Sequence, residues 1–173
     1  MLQQGPTTIG LCRDSLVLWS QMFERLANDV GADVALFMTW PALGVSPGGF
    51  DEVRISFQQA AFATQGIFLP AGEARRSAMR ADPTLQPFGP DNFHPSVLGS
   101  YLAALTIFER LSGVDARTLP PTVAGTLPLP LSESTVRLLQ SAAHDANERF
   151  PARVPAAVAA PSPPGTVLPG GRC

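Results

Sequence analysis

Between residues 14 and 30, large apolar side chains recur at Leu16, Trp19, Met22, Phe23, Leu26 and Val30, the i, i+3, i+4 spacing that lines one face of an α-helix. Asp14 or Ser15 is placed to cap its start and Gly31 its end, so the spacing predicts a helix over 14–30 with Trp19 on its packing face. The next run, Val34 to Trp40, is almost continuously apolar and is closed by Pro41. A strand covered on both faces has this composition. After a Gly/Pro/Ser loop from Ala42 to Gly49, the segment 51–65 carries Val53, Phe57, Ala60 and Ala61 on one side and stops at Gly66. That pattern predicts a second amphipathic helix leading into a short strand, Ile67 to Leu69. Trp40 and Phe57, like Trp19, fall at core positions.

Helix, strand, helix, strand, with strands of the buried parallel type, points to an α/β sheet with right-handed crossovers. A short helix over about 71–80 and an irregular Pro-rich stretch over 82–90 follow. Pro95 then stands in the first turn of a strongly apolar helix reaching about Leu111, where its missing N–H would have been unpaired anyway. A Leu/Pro-rich connector, 119–130, leads to a last helix near 132–148 with Val136, Leu139, Ala142, Ala143 and Ala146 as its inner face. From Pro151 the composition collapses to Pro, Ala, Val and Gly, too little periodic apolar surface to offset ordering entropy. The expected domain is therefore 1–150 and the expected disordered or linker tail 151–173. The opening residues, Met1 to Pro6, read as the end of a strand already in progress, because they run straight into a Gly-Pro turn.

The chain has 173 residues, 45% of them hydrophobic, enough for one domain with a proper core. Its 12 basic and 14 acidic residues sum to −2 without a basic cluster, which gives no footprint for nucleic acid or an anionic membrane surface. No apolar run approaches the length of a membrane span. Cys12 and Cys173 have neither metal-ligand spacing nor the pattern of a disulfide framework, and read as two separate thiols.

Candidate chemistry concentrates in Asp91, Asn92, Phe93, His94, Pro95 and Ser96, between an irregular loop and a helix start. In open α/β sheets such loops gather at the carboxyl ends of strands, where sites form. An imidazole just ahead of a helix meets the positive end of its dipole, which favours the neutral ring that acts as a base. Asp91, three residues earlier on a turn, is placed to accept a hydrogen bond from Nδ1–H and leave Nε2 for a nucleophile. The alternative for a bare Asp-x-x-His is an aspartate capping a turn and a histidine that merely precedes a helix.

The wider pattern favours the first reading. Asp91-Asn92-Phe93-His94-Pro95-Ser96, continued by Gly99-Ser100-Tyr101-Leu102-Ala103-Ala104-Leu105, resembles the last block of the SGNH (GDSL-like) serine ester hydrolases, in which an Asp-x-x-His-Pro-Ser run opens the final helix. Trp40-Pro41, the helix start at Phe50-Asp51, and Leu69-Pro70-Ala71-Gly72-Glu73-Ala74 look like the intervening segments of a bacterial branch. The resemblance covers about 1–150 and is most specific over 91–105. It implies a three-layer, flavodoxin-like α/β fold, N-terminally incomplete here, that hydrolyses acyl or acetyl esters without metal or cofactor. Asp91 would orient His94, and His94 would act as general base. The family's serine lies after its first strand in a Gly-Asp-Ser or Gly-Asn-Ser setting, and this sequence has no such segment. That serine, with the first strands, is expected upstream of Met1. The opening residues resemble the end of the family's middle strand, where a Gly-x-Asn block supplies an oxyanion donor. The asparagine is absent here, and Gln3 and Gln4 are either substitute donors or ordinary strand-end amides.

Gly44-Val45-Ser46-Pro47-Gly48 matches a G-x-S-x-G nucleophile elbow literally, yet Pro47 has no N–H to give to an oxyanion hole. His144 reads as a surface or interface residue. Glu73, Arg75 and Arg76 begin a short helix and fit either a cleft margin or a solvated helix start. The expected partner is a small-molecule or carbohydrate ester, and self-association is expected if strands are missing and leave apolar edges. The alternative reading is a non-catalytic, degenerate or truncated relative with a binding role. Localisation stays open between cytoplasm, periplasm and secretion.

Overall fold

In the computed structural model the described residues are 1–6, 10–44, 47–121 and 131–156. Helix α1 (Gly10–Asn28) leads to strand β1 (Ala35–Phe37), helix α2 (Pro47–Ala63), strand β2 (Ile67–Leu69), helix α3 (Ala71–Ala81), helix α4 (Val97–Ser112), a 3₁₀ turn (Ala116–Thr118) and helix α5 (Glu133–Arg149). The fold is α/β, mostly helical with a small parallel sheet. β1 and β2 pair in parallel with Leu36 opposite Phe68, as two apolar runs separated by a helix should. The chain divides into two compact units, one from Met1–Pro41, Val45–Leu69 and the segment after Phe150, the other from Ala42–Gly44 and Pro70–Arg149.

The first unit forms around the continuous apolar run. Every described residue from Val34 to Pro41 is buried, although only Ala35–Phe37 is regular strand. Leu36, Met38, Val53, Phe57 and Phe68 make the centre of its core. Leu2 lies beside β1 in a parallel bridge to Leu36, donating its N–H to Ala35 O at 2.7 Å and accepting from Phe37 N at 2.9 Å. The opening residues thus reach β1 through an isolated bridge at Leu2. Gly66 enters β2 where a Cβ would stand 2.8 Å from Val34 O and 2.7 Å from Thr64 Oγ1, so the close approach of the strands excludes a side chain. Residues past the expected boundary at 150 take part as well. Phe150 packs edge-on against Phe68 at 6.3 Å, Ala152 O accepts Phe68 N at 2.8 Å, and Val154 is buried in the core. Residues 157–173, the rest of the expected tail, lie outside the described residues, as do residues 122–130 of the connector.

Helix α1 departs from expectation in extent and in orientation. It runs over 10–28 instead of 14–30, and it buries Cys12, Arg13, Leu16 and Ser20. Trp19, Met22, Phe23, Leu26 and Val30, the stripe expected inside, are exposed. Arg13 decides the orientation: its Nε donates to Ser56 Oγ at 2.9 Å and its Nη2 to Glu52 Oε2 at 2.6 Å. A buried guanidinium left without such partners would be costly, so the face carrying Arg13 turns toward α2.

The second unit packs α3, α4 and α5 around Ala74, Ala78, Leu102, Leu105, Leu139 and Ala143. The expected inner face of α5 is the buried one, from Val136 to Ala146. Helix α4 begins at Val97, two residues after Pro95, because Ser96 is its N-cap: Ser96 Oγ accepts Gly99 N at 3.2 Å. Pro95 pairs instead with Phe88 in an antiparallel bridge. Among the described residues no helix is long and apolar enough to cross a membrane.

Truncating the most enclosed aromatic of the first unit tests its core. Phe57, fully buried, leaves a cavity on Phe57→Ala, and a loss of about 3–5 kcal/mol in urea unfolding is expected.

Candidate active site

Residues 86–96 form a turned-back loop held at its base and open at its tip. At the base, Pro87 O accepts Ser96 N at 3.0 Å and Arg75 Nη1 at 2.6 Å. Ser96 Oγ donates to Gln86 O at 2.7 Å. Arg75 is fully buried and lies over the Phe88 ring at 4.7 Å from its centroid, a cation–π contact strengthened by desolvation. Burial also pulls its guanidinium down to about 9, still protonated at neutral pH. Gly99 lies against this base, where a Cβ would come within 2.1 Å of Pro87 O and 2.6 Å of Arg75 Nη2. Only glycine lets the first turn of α4 come so near.

Toward the tip, Gly89 N donates to His94 O at 2.8 Å and Asn92 N to Gly89 O at 3.0 Å. Asn92 takes the left-handed conformation, φ 57°, which asparagine tolerates better than most residues. Its carbonyl accepts Leu43 N at 2.8 Å.

Asp91 and His94 meet at this tip. Asp91 Oδ1 accepts Phe93 N at 3.1 Å and His94 N at 3.0 Å, and Oδ2 lies 2.5 Å from His94 Nδ1. The hydrogen bond from His94, and then those from the two backbone N–H groups, lower the Asp91 carboxyl to about 2. An ionised carboxylate only accepts, so Nδ1 carries the hydrogen and Nε2 is the remaining ring nitrogen. Phe93 stacks edge-on against the imidazole at 5.1 Å between centroids. The pair is open to solvent, with the His94 side chain 74% exposed and that of Asp91 51%. This arrangement can hold one histidine tautomer and accept a proton at Nε2. Among the described residues, no hydroxyl or thiol is hydrogen-bonded to His94. Ser96, the nearest serine in sequence, is committed to Gln86 O and to capping α4.

The other candidates fall elsewhere. Gln3 and Gln4 belong to the first unit and Asp91 and His94 to the second. Gln4 Nε2 donates to Cys12 O at 3.3 Å. Val45 and Ser46, the centre of the rejected G-x-S-x-G match, lie outside the described residues. Glu73 is buried and pairs with Arg76 at 3.5 Å, so it is not a solvated helix start.

His144 is no surface residue. Its side chain is 17% exposed, and Nδ1 lies 2.9 Å from Glu109 Oε1 and 3.4 Å from Asp115 Oδ1. These three bring ligand-type atoms within 4.8 Å of one another, the geometry of a small metal-binding group. Their oxygens are already engaged: Glu109 Oε2 accepts Ala116 N at 2.8 Å, and Asp115 holds Arg117 through Nε and Nη2. The hydrogen bonds from Arg117 lower the Asp115 carboxyl to about 2. The cluster braces the 3₁₀ turn against α4 and α5. Sequence spacing missed it because Glu109 and His144 stand 35 residues apart.

No family model matches the chain, and no curated protein does. Among solved structures, a DUF4886 family protein from Bacteroides uniformis shares the fold, with a TM-score of 0.60 and 22% identity. The match covers 83% of this chain and 59% of that one, so the chain spans about three fifths of the length of this neighbour.

The turn itself is open to a direct test. Since the Asp91 carboxyl lies below its ordinary 3.8, at about 2, its ionised form stabilises the turn fully above about pH 4 and this contribution is lost as pH falls through about 2. Carboxyl-detected NMR should find the Asp91 midpoint near 2 and, in His94→Ala, a midpoint moved upward but still lowered by the two backbone donors. An unshifted midpoint in both proteins would refute the turn geometry.

Proposed function

We propose that this chain carries the Asp–His pair of an SGNH-type serine ester hydrolase, a three-layer flavodoxin-like domain acting on acyl or acetyl esters of small molecules or carbohydrates. The observation that carries the reading is the 2.5 Å contact between His94 Nδ1 and Asp91 Oδ2, made within one loop ahead of a capped helix. Asp91 orients the ring and stabilises the imidazolium. His94 Nε2 takes the proton of a serine hydroxyl as the oxygen attacks the ester carbonyl, and returns it to the departing alkoxide. Water then repeats the sequence on the acyl-enzyme. The described residues hydrogen-bond no serine to His94, so the nucleophile is left unassigned in this reading. The mechanism uses no metal or cofactor. Support comes from the parallel pairing of β1 and β2 and from the fold shared with a longer protein.

One observation favours a second reading, a non-catalytic relative: the described residues bring no hydroxyl or thiol to His94.

A fluorophosphonate probe and p-nitrophenyl acetate separate the two in the natural gene product containing this chain. An esterase is labelled on one serine, and His94→Ala lowers turnover by about 10²–10⁴-fold. Turnover that survives His94→Ala overturns the role of the pair, and a protein neither labelled nor active is the non-catalytic relative.

A further inference from the structure

Among the described residues, helix α1 buries one face in the first unit and leaves a second, apolar face exposed. That face runs through Leu18, Trp19, Met22, Phe23 and Leu26, with Val30 just past the helix end, and Trp19 is 54% and Leu26 62% exposed. At roughly 150–250 Å² for each large side chain, such exposures leave on the order of 600 Å² of nearly contiguous apolar surface. This is at the top of the range for the largest patch on an ordinary monomer, roughly 300–600 Å². It also approaches the roughly 800 Å² that each partner contributes to a standard interface. The patch does not end at the helix. A groove of about 210 Å³ continues it, lined by Leu2, Gln3, Gln4, Leu16, Trp19 and Phe23.

We propose that this face of α1 is a homodimer interface whose occupant is the same face of a second copy. The stripe is straight, spans about three turns and is self-complementary under a two-fold axis, the commonest closed arrangement. An antiparallel register centred on Met22 and Phe23 sets Trp19 of one copy opposite Leu26 of the other. A net charge of −2 adds little repulsion between copies. Two aromatic side chains near the centre, Trp19 and Phe23, are the kind of group that dominates association energy.

Sedimentation of the purified full chain from about 1 to 100 μM tests it. A monomer–dimer equilibrium is expected, abolished in the double variant Trp19→Gln/Leu26→Lys with an unchanged circular dichroism spectrum. Leu111→Lys, at another exposed apolar position, should leave it intact. Tryptophan emission of the unsubstituted protein gives the same answer without a variant, shifting to the red on dilution as Trp19 becomes hydrated. A single monomer throughout the range, with emission independent of concentration, overturns the proposal and leaves the stripe to a different polypeptide. Association that persists in the double variant overturns it too, by placing the interface elsewhere.

Discussion

The loop bearing Asp91 and His94 is open to solvent at its tip, so its position depends on its base, and there on the carbonyl of Pro87. That oxygen takes the Arg75 guanidinium at 2.6 Å and Ser96 N at 3.0 Å. A buried guanidinium requires such acceptors, and a buried carbonyl requires donors. Arg75 Nη1 and Ser96 N both meet that one oxygen. Around this contact the Phe88 ring covers the guanidinium and Gly99 admits the helix at a distance no Cβ would allow. The exposed tip can therefore carry polar chemistry because its base is fixed by groups that are themselves enclosed.

The legibility of each feature follows the sequence distance over which it was decided. Val34 to Trp40 and Ile67 to Leu69 read as buried strands because a continuous apolar run leaves few other outcomes, and the burial is there although only Ala35–Phe37 of the first run is regular strand. The α5 inner face was legible because only one stripe on that helix is apolar. Asp91 and His94 were legible because three residues separate them, a span a turn can close. The orientation of α1 was not legible, since two apolar stripes compete there and the decision fell to Arg13, whose partners Ser56 and Glu52 lie on another helix. His144 failed for the same reason, with carboxylates 35 and 29 residues away. Ser96 was readable as a cap in principle, but Pro95 drew the helix start two residues early.

The two clusters of histidine and carboxylate in this chain show how surroundings divide similar groups. Glu109, Asp115 and His144 are largely enclosed, and their oxygens are taken up by a backbone N–H and by Arg117. They hold elements together. Asp91 also uses its oxygens locally, yet its histidine stands in solvent with one ring nitrogen uncommitted among the described residues. Chemistry requires that incompleteness, and structure avoids it.

An acid and a base three residues apart need almost no chain closure to meet, because the entropic cost of closing a loop grows with its length. Their encounter is local in sequence and adds little to contact order, so it can form early and reform quickly after a local opening. The pair is therefore ready whenever the loop is closed.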